Sequence, residues 1–310
     1  MSSTIILDCD PGIDDALAIA FAVGHQGIEL SGITTVAGNV GLDKTTANAL
    51  AVASFTGAYD VPVTAGCAAA LLREGRRAGH VHGESGLGGA VLPPPTRKAE
   101  DGHAIDYIIE RLAAAPGEIT LVATGPLTNI GLALRREPRL ARWVRDFVIM
   151  GGSAGRGNVT PTAEFNIWAD PEAAAIVFDA GWTVRMIGLD VTLRARATRA
   201  VQERMRDFGK LGTDLVLPAL SRYDDAGVAA GGEPPVHDVC AVLSVVSPEV
   251  FTYTPAAVAV ETTGRLTSGM TVTDFSPSII PNAAVATDID VDRFWDEVMR
   301  TYASLAAVVG

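Results

Sequence analysis

The amino-acid sequence predicts an α/β fold with an open, mostly parallel central sheet flanked by helices. Short apolar runs typical of strands alternate with longer stretches that have helical periodicity. Hydrophobic residues make up 48% of the chain, with Ala and Val prominent, as expected when strands are covered on both faces. Because we find no internal repeat and no linker among the 310 residues, we expect a single domain over residues 1–310.

The predicted elements follow one another in the order expected of a parallel sheet with right-handed crossovers. Six strands are predicted, at Thr4–Asp8, Leu30–Val36, Val61–Ala65, Ile119–Ala123, Phe147–Met150 and Val184–Leu189. Helices are predicted between them, at Asp14–Gly24, Asp43–Phe55, Ala104–Ala115, Leu127–Arg136 and Pro171–Ala180. The rest of the prediction is a mainly helical region (Arg199–Val246), two late strands (Ala257–Glu261 and Met270–Val272) and a closing helix (Val291–Val308).

The charge of the chain argues against nucleic-acid and membrane partners. The formal net charge is −12, and without a basic tail neither a nucleic-acid polymer nor an anionic membrane is an expected partner. No segment approaches the length of an uncharged membrane span, and Met1-Ser2-Ser3-Thr4 lacks the basic residues of a signal peptide. Cys9, Cys67 and Cys240 are far apart without metal-type spacing, which indicates a reduced, cytoplasmic protein.

Four aspartates, Asp8, Asp10, Asp14 and Asp15, crowd the turn between the first predicted strand and the first predicted helix. Carboxylates this close repel one another, so either a cation or raised pKa values must offset the repulsion. The segment holds no basic residue, and oxygen ligands alone favour a hard cation such as Ca²⁺ or Mg²⁺. The alternative is that Asp14 and Asp15 only stabilise the N-terminus of the helix.

Polar residues also follow the other predicted strands. In an open parallel sheet, ligands bind beyond the carboxyl ends of the strands, so these residues are candidates for a binding site. Ordinary turn chemistry is the alternative for each of them, and it is the interpretation that we favour for Asn129 and Asp190. The residues concerned are Asn39, Thr124, Asn129, Asn158, Glu164, Asn166, Trp168 and Asp190.

Two histidine-containing segments complete the candidate residues. His237 and Asp238 open an apolar helical run, and a His with a pKa near neutrality beside an acidic site is a usual proton donor. The alternative is a satisfied polar side chain followed by a helix N-terminal aspartate. The loop Arg73–Gly89 contains His80 and His82, and its glycines and lack of periodicity predict a mobile flap. Two histidines alone are a weak metal signal.

Together these motifs resemble the inosine-uridine preferring nucleoside hydrolase family, from about Ile5 to Trp295. Members cleave the N-glycosidic bond of ribonucleosides with water, use one tightly held Ca²⁺ and are commonly homodimers or homotetramers. The resemblance implies the same Rossmann-like fold, cofactor, ribonucleoside substrate and assembly here. It rests on Asp8-Cys9-Asp10-Pro11-Gly12-Ile13-Asp14-Asp15, His82-Gly83-Glu84-Ser85-Gly86, Ala163-Glu164-Phe165-Asn166, Asp170-Pro171-Glu172-Ala173, Val236-His237-Asp238 and Ser268-Gly269-Met270-Thr271-Val272 with Asp274-Phe275.

The resemblance also implies a role for each candidate residue. Ca²⁺ would be held by the carboxylates of Asp10, Asp15 and Asp238 and by the backbone carbonyl of Thr124. Asp10 would accept a proton from the attacking water, and His237 would protonate or hydrogen-bond the departing base. The remaining residues would bind the substrate: Asp14, Asn39 and Asp238 at the ribose hydroxyls, Asn158, Glu164 and Asn166 at the 5′ end, and His82 near the base.

The resemblance leaves the base preference open. Tyr223 is the only aromatic residue in the segment before His237, and Gly227–Gly232 is small and flexible where some members place a second tyrosine. We therefore expect broad activity on inosine and uridine in nucleoside salvage, and a pyrimidine- or purine-preferring member of the family is the alternative.

Two other classes of protein are weighed against this interpretation. The spacing of Asp8 and Asp10 is similar to the strand-end aspartate pair of Mg²⁺ phosphatases of the haloacid dehalogenase type. The residue two places after Asp10 is neither Thr nor Val, and the second pair Asp14-Asp15 is foreign to that motif. A non-catalytic nucleoside-binding protein is the other alternative, because it could retain both Asp10 and His237.

Overall fold

The computed structural model describes residues 2–73, 75–225 and 232–310. The strands in this part of the chain are β1 (Ser3–Cys9), β2 (Ile28–Thr35), β3 (Val63–Ala65), β4 (Ile119–Ala123), β5 (Asp146–Met150), β6 (Val184–Ile187), β7 (Phe251–Val260), β8 (Thr271–Asp274) and β9 (Ala283–Ile289). The α-helices are α1 (Ile13–Gly24), α2 (Leu42–Phe55), α3 (Gly79–His82), α4 (Ala104–Ala114), α5 (Thr128–Arg136), α6 (Leu140–Trp143), α7 (Phe165–Ala169), α8 (Pro171–Phe178), α9 (Leu189–Thr192), α10 (Arg199–Met205), α11 (Leu217–Asp225), α12 (Asp238–Val246) and α13 (Val291–Val309). A π-helix (Leu211–Val216) precedes α11.

The strands form one sheet in the order β3-β2-β1-β4-β5-β6-β9-β7-β8. Each neighbouring pair of strands from β3 to β9 is parallel. Strand β7 runs antiparallel to both of its neighbours, β9 and β8. The predicted open, mostly parallel sheet is therefore confirmed.

Alternate residues of the central strands enter two apolar cores, one on each face of the sheet. Ile5 and Leu7 of β1 pack with α1, α2, α12 and α13, whereas Ile6 packs with α4, α5 and α8. This alternation follows from the two-residue period of a strand, and it explains why β1 has an almost continuous apolar sequence.

The first six strands and the first long helices occur where the sequence predicts them, but the C-terminal part of the sheet differs. Strand β9 lies between β6 and β7 and is absent from the prediction. Three of its seven residues are Ala, so its β-propensity is weak and its pairing decides its conformation. Strand β7 begins at Phe251 rather than Ala257 and includes Pro255, at a position where β8 does not pair with it, so the missing N–H costs no ladder bond on that side.

The mainly helical region after Arg199 is also confirmed in its described part. Most of the glycine-rich stretch Gly227–Gly232 lies outside the described residues. In the part of the chain that the structure describes, no helix is long and apolar enough to cross a membrane. That residues 1–310 form a single domain stays a prediction.

Candidate active site

A cavity of about 220 Å³ opens beyond the carboxyl ends of the parallel strands. Most of the polar residues singled out in the sequence line it, and Asp10 and Asp15 are fully buried nearby. The side chains predicted to act together are therefore close in space, although they come from seven segments of the chain. The polar lining consists of Asp14, Asn39, His80, His82, Thr124, Asn158, Glu164, Asn166, Tyr223, His237 and Asp238, and the other lining residues are Ala78, Val81, Met150, Val159 and Phe165.

The turn between β1 and α1 is organised by Asp15. Its carboxylate accepts hydrogen bonds from the backbone N–H groups of Asp10 (3.2 Å) and Gly12 (3.1 Å). It also accepts from the hydroxyl of Thr124 (2.9 Å) and the side-chain amide of Asn39 (3.1 Å). Because Asp15 lies in the first turn of α1, its bond to the N–H of Gly12 caps the start of the helix. Stabilisation of the helix N-terminus, which the sequence offered as the alternative to metal binding, is therefore part of the role of Asp15.

Asp10 lies in a cradle made by two glycines. One oxygen, Oδ2, accepts the backbone N–H of Asn39 at 2.6 Å, whereas Oδ1 is buried and has no hydrogen-bond partner among the described residues. A Cβ atom on Gly38 would collide with Oδ2, and one on Gly125 would lie 2.8 Å from Oδ1. Glycine at these two positions therefore lets the backbone approach the carboxylate from both sides.

Burial raises the pKa of every carboxyl group in this cluster. The pKa of Asp10 and that of Asp238 lie well above the usual range, first because of burial and then because of repulsion from Asp15. Burial also raises the pKa of Asp15 and raises that of Asp14 to about 7. Without a cation the cluster therefore retains protons near neutrality, and a divalent cation would allow the carboxyl groups to ionise.

This donor set fits a hard divalent cation. It contains only oxygen, and the Oδ1 atoms of Asp10 and Asp14 lack hydrogen-bond partners in the described part of the chain. As the side chains stand, no three His, Cys, Asp or Glu residues within the described ranges are arranged to hold a metal ion. A cation would have to compete with the hydrogen bonds that Asp10 and Asp15 receive from protein donors.

Asn166 holds the backbone at the ends of two central strands. Its side-chain amide donates to the carbonyl of Thr124 at 2.7 Å and to that of Met150 at 3.0 Å. The Thr124 carbonyl is the predicted backbone ligand of the metal, so Asn166 orients this group as well as lining the cavity. The sequence predicts only the contact of Asn166 with substrate and misses this second role.

Glu164 begins helix α7 and lines the cavity. Its carboxylate accepts backbone N–H groups from Asn166 (2.9 Å), Ile167 (3.2 Å) and Gly152 (2.9 Å). Burial outweighs these hydrogen bonds and raises the pKa of Glu164 to about 7. Asn158 is exposed at the mouth of the cavity, and its side-chain carbonyl accepts the N–H of Phe165 at 3.0 Å.

The flap residue His82 contacts the first turn of α1. Its Nδ1 accepts the N–H of Ile13 at 3.1 Å, and its ring meets Tyr223 edge to face with centroids 6.1 Å apart. Burial lowers the pKa of His82 to about 3, so the ring is neutral. The carbonyl of Ser85 in the same loop accepts a 2.9 Å hydrogen bond from Asn48 of α2. The predicted mobility of this loop stays a prediction.

His237 is a neutral imidazole at neutral pH, unlike the near-neutral pKa that the sequence predicts. Burial and then the charge of Arg196 lower its pKa to about 4. Its Nδ1 pairs with the hydroxyl of Thr192 at 2.8 Å. The ring lines the cavity, so a contact with the leaving base is compatible with its position, but it holds no extra proton in advance.

The turn interpretation is wrong for Asn129, and Asp190 also bonds a loop distant in sequence rather than its own turn. Asn129 is fully buried and donates to Asp8 Oδ1 at 2.8 Å and to the Thr35 carbonyl at 3.0 Å, so it joins β1 to β2 rather than forming a turn. Asp190 lies outside the cavity lining and accepts the N–H of Ala154 at 2.8 Å. Trp168 also lies outside the lining.

Comparisons with known proteins place this architecture in a family. A family model described as inosine-uridine preferring nucleoside hydrolase matches residues 5–296. An inosine-uridine preferring nucleoside hydrolase of Leishmania major is 47% identical over 300 residues, which cover 95% of this chain and 96% of that protein. The non-specific ribonucleoside hydrolase RihC of Escherichia coli (strain SMS-3-5 / SECEC) is 45% identical and covers 98% and 99%. A solved purine-preferring ribonucleoside hydrolase from Gardnerella vaginalis matches with a TM-score of 0.93 at 35% identity, covering 99% of this chain and 100% of that one.

Proposed function

Because the chain belongs to the inosine-uridine preferring nucleoside hydrolase family and is therefore a ribonucleoside N-glycosidase, we propose that it hydrolyses inosine and uridine to free base and ribose with one bound Ca²⁺. The observation that carries the Ca²⁺ requirement is the buried, oxygen-only carboxylate cluster beside a polar cavity. The family match over residues 5–296 argues against the phosphatase alternative.

Four groups of this chain would hold the cation. They are the carboxylates of Asp10, Asp15 and Asp238 and the carbonyl of Thr124, which Asn166 already orients through its 2.7 Å hydrogen bond. When bound, Ca²⁺ would supply the positive charge that orients the ribose 2′- and 3′-hydroxyls and lowers the pKa of the attacking water.

The carboxylates would bind the sugar and stabilise its transition state. Asp14 Oδ1 is without a partner in the described residues, so it can accept a ribose hydroxyl while Oδ2 stays bonded to Tyr223. Asn39 also lines the cavity. As the C1′–N bond breaks, the sugar becomes oxocarbenium-like, and buried carboxylates around it lower the energy of this positive charge.

Asp10 would act as the base for the attacking water. Its Oδ1 is buried and unpartnered among the described residues, so it can accept a proton without first losing a hydrogen bond. Its Oδ2 is held by the Asn39 N–H at 2.6 Å, which fixes the orientation of the carboxylate.

His237 would assist the departure of the base as a hydrogen-bond donor. Because its pKa is lowered to about 4, the neutral ring would donate one N–H to the base as negative charge develops there. His82 is a second donor near the base. Its Nδ1 accepts from Ile13, so the ring proton lies on Nε2, and a hydroxypurine or a pyrimidine offers a carbonyl oxygen to accept it.

The proposed substrate range is broad, and the alternatives are a purine-preferring or a pyrimidine-preferring enzyme of the same family. The curated relatives are named inosine-uridine preferring and non-specific at 47% and 45% identity. The purine-preferring structural neighbour is 35% identical, so the purine-preferring alternative has weaker support.

We further propose that the protein acts in nucleoside salvage in the cytoplasm. We also propose that it assembles as two or four copies, and light scattering would measure this number.

Release of ribose from a panel of nucleosides tests the proposed function. We expect metal-stripped protein to be inactive, and Ca²⁺ to restore release from both inosine and uridine. Release from only purine or only pyrimidine nucleosides would contradict the proposed broad substrate range but not the hydrolytic activity. Nucleoside binding without any ribose release at saturating Ca²⁺ would contradict the activity and favour a non-catalytic binding protein.

A further inference from the structure

The motif Ser268-Gly269-Met270-Thr271-Val272 has no role in the chemistry described above, although it lies against the active-site loop that contains Glu164. We propose that Thr271 is a positioning residue that sets selectivity for the 5′-hydroxyl of the substrate by fixing the backbone that holds Glu164. This inference rests on the proposed function, in which Glu164 binds the 5′ end of the nucleoside.

Thr271 makes a two-way hydrogen bond with one residue of the loop after β5. Its hydroxyl accepts the N–H of Ser153 at 2.9 Å and donates to the Ser153 carbonyl at 2.7 Å. Thr271 is buried and begins the edge strand β8, where its backbone is paired with Val260 of β7. One side chain anchored in the sheet therefore satisfies both backbone polar groups of Ser153.

The adjacent residue, Gly152, passes this constraint to Glu164. The Gly152 N–H donates to Glu164 Oε2 at 2.9 Å, and its carbonyl accepts the N–H of Leu189 at 2.9 Å. Gly152 has a φ of +74°, and an added Cβ would lie 2.9 Å from Thr271 Cγ2. Thr271 therefore packs directly against the backbone that positions the carboxylate.

A shift of Glu164 would be felt elsewhere in the site. Its other oxygen accepts the N–H of Asn166 at 2.9 Å, and Asn166 in turn donates to the carbonyl of Thr124. Thr271 is thus connected to the start of α7 through the backbone of Ser153 and Gly152 and the hydrogen bonds of Glu164.

The same motif also contacts the far end of α7. Gly269 has a φ of +88°, and a Cβ there would lie 2.6 Å from the Cα of Trp168. The hydroxyl of Thr162 donates to the Leu266 carbonyl at 3.3 Å. The segment from Leu266 to Thr271 therefore supports the Glu164 loop before and after the carboxylate, which favours a positioning role over a single incidental contact.

Thr271 does not line the cavity, so its effect must pass through the loop. The test compares kcat and KM for inosine and 5′-deoxyinosine in the wild type, T271V and T271S at saturating Ca²⁺. T271V keeps the shape but removes the hydroxyl, T271S keeps the hydroxyl, and T252V makes the same change at an exposed position of β7. Amide hydrogen exchange of Gly152, Ser153 and α7 reports on the loop without any substrate.

We expect T271V to reduce the preference for inosine over 5′-deoxyinosine about 10-fold, because two buried polar groups lose their partner. The loss should appear mainly in kcat, since binding at a remote end of the substrate serves to orient the reacting centre. The Ser153 amide should exchange faster in T271V, while T271S and T252V should match the wild type within about 2-fold.

Two results would overturn this role. One is a T271V variant that keeps its preference for inosine, whether or not its amide exchange changes. The other is a T271V variant that loses activity equally on both nucleosides, which would make Thr271 merely structural. A wild type that hydrolyses neither nucleoside would instead contradict the proposed function, on which the inference rests.

Discussion

The hydroxyl of Tyr223 donates a 2.6 Å hydrogen bond to Asp14 Oδ2, across 209 residues of sequence. Both side chains are buried and both line the cavity. The bond leaves Asp14 Oδ1 free for a ribose hydroxyl among the described residues. Tyr223, which lies on α11, therefore fixes the orientation of Asp14 on α1.

Removing this hydroxyl should weaken catalysis. Hydrogen bonds to charged groups contribute about 1.5–3 kcal/mol, so Y223F should lower kcat/KM for inosine by about 10- to 100-fold. Steady-state kinetics measures this effect. Tyr59 is exposed, and Y59F is the matched control that should keep wild-type activity. An unchanged kcat/KM in Y223F would show that Asp14 needs no help in its orientation.

Replacing Asp10 should abolish hydrolysis. D10A removes a proposed metal ligand and the proposed base together, so neither Ca²⁺ nor higher pH should restore ribose release. D101A, which alters an exposed aspartate, serves as the control for the loss of one negative charge. Activity of D10A within about 10-fold of the wild type would be incompatible with a general base at this position.

The metal-stripped protein should become less stable as the pH rises from about 4 to about 7. The pKa values of Asp14 and Glu164 are about 7 in the folded protein, above their ordinary values near ~4. The folded state therefore keeps protons that the unfolded chain releases between about pH 4 and pH 7, and the free energy of unfolding falls over this window. Ca²⁺ should offset the loss, so its stabilising effect should increase with pH.

Denaturant titrations at about pH 5 and pH 7.5, with and without Ca²⁺, measure both trends. D10A should lack most of the stabilisation by Ca²⁺ at either pH. Equal stabilisation of the wild type at the two pH values would mean that the cation does not displace protons from the carboxyl cluster.

Replacing His237 should affect substrates according to their leaving groups. H237A should slow inosine hydrolysis by about 10- to 100-fold, because a hydrogen bond from the neutral ring to the negative charge on the departing base contributes about 1.5–3 kcal/mol. A nitrophenyl riboside needs no proton to leave, so its hydrolysis should change far less. His103 caps α4, and H103A is a control outside the cavity lining. An equal loss on both substrates would assign His237 to binding or structure.

The ribose 2′-hydroxyl should be essential for efficient turnover. A 2′-deoxynucleoside would leave the partners of this hydroxyl buried and unpaired, and sites of this kind can reject such an analogue by roughly 10⁴-fold or more. D14N should narrow the gap between inosine and 2′-deoxyinosine, chiefly by slowing inosine. Comparable kcat/KM values for the two nucleosides in the wild type would contradict the proposed ribose contacts and favour a deoxyribonucleoside substrate.

Local sequence patterns were sufficient for the first six strands of the sheet and for most of the residues that line the cavity. Strand β4 has the predicted bounds, Ile119–Ala123, and helix α1 differs from its prediction by one residue. Strands β9 and β7, which lie inside the C-terminal part of the sheet, were harder to predict, because β9 is rich in alanine and β7 contains Pro255. Their conformation depends on their neighbours in the sheet rather than on their own propensity.

The sequence by itself determined the acidic turn of Asp10 and Asp15, the order of strands and helices, and the family. Each of these follows from motifs or periodic patterns of residues that are close together in the sequence. Only the tertiary structure decided which distant groups meet, such as Tyr223 with Asp14 and Thr271 with Ser153. It also decided that His237 is neutral, with a pKa of about 4. The physical reason is that burial and long-range hydrogen bonds depend on how the elements pack, which no local spacing specifies.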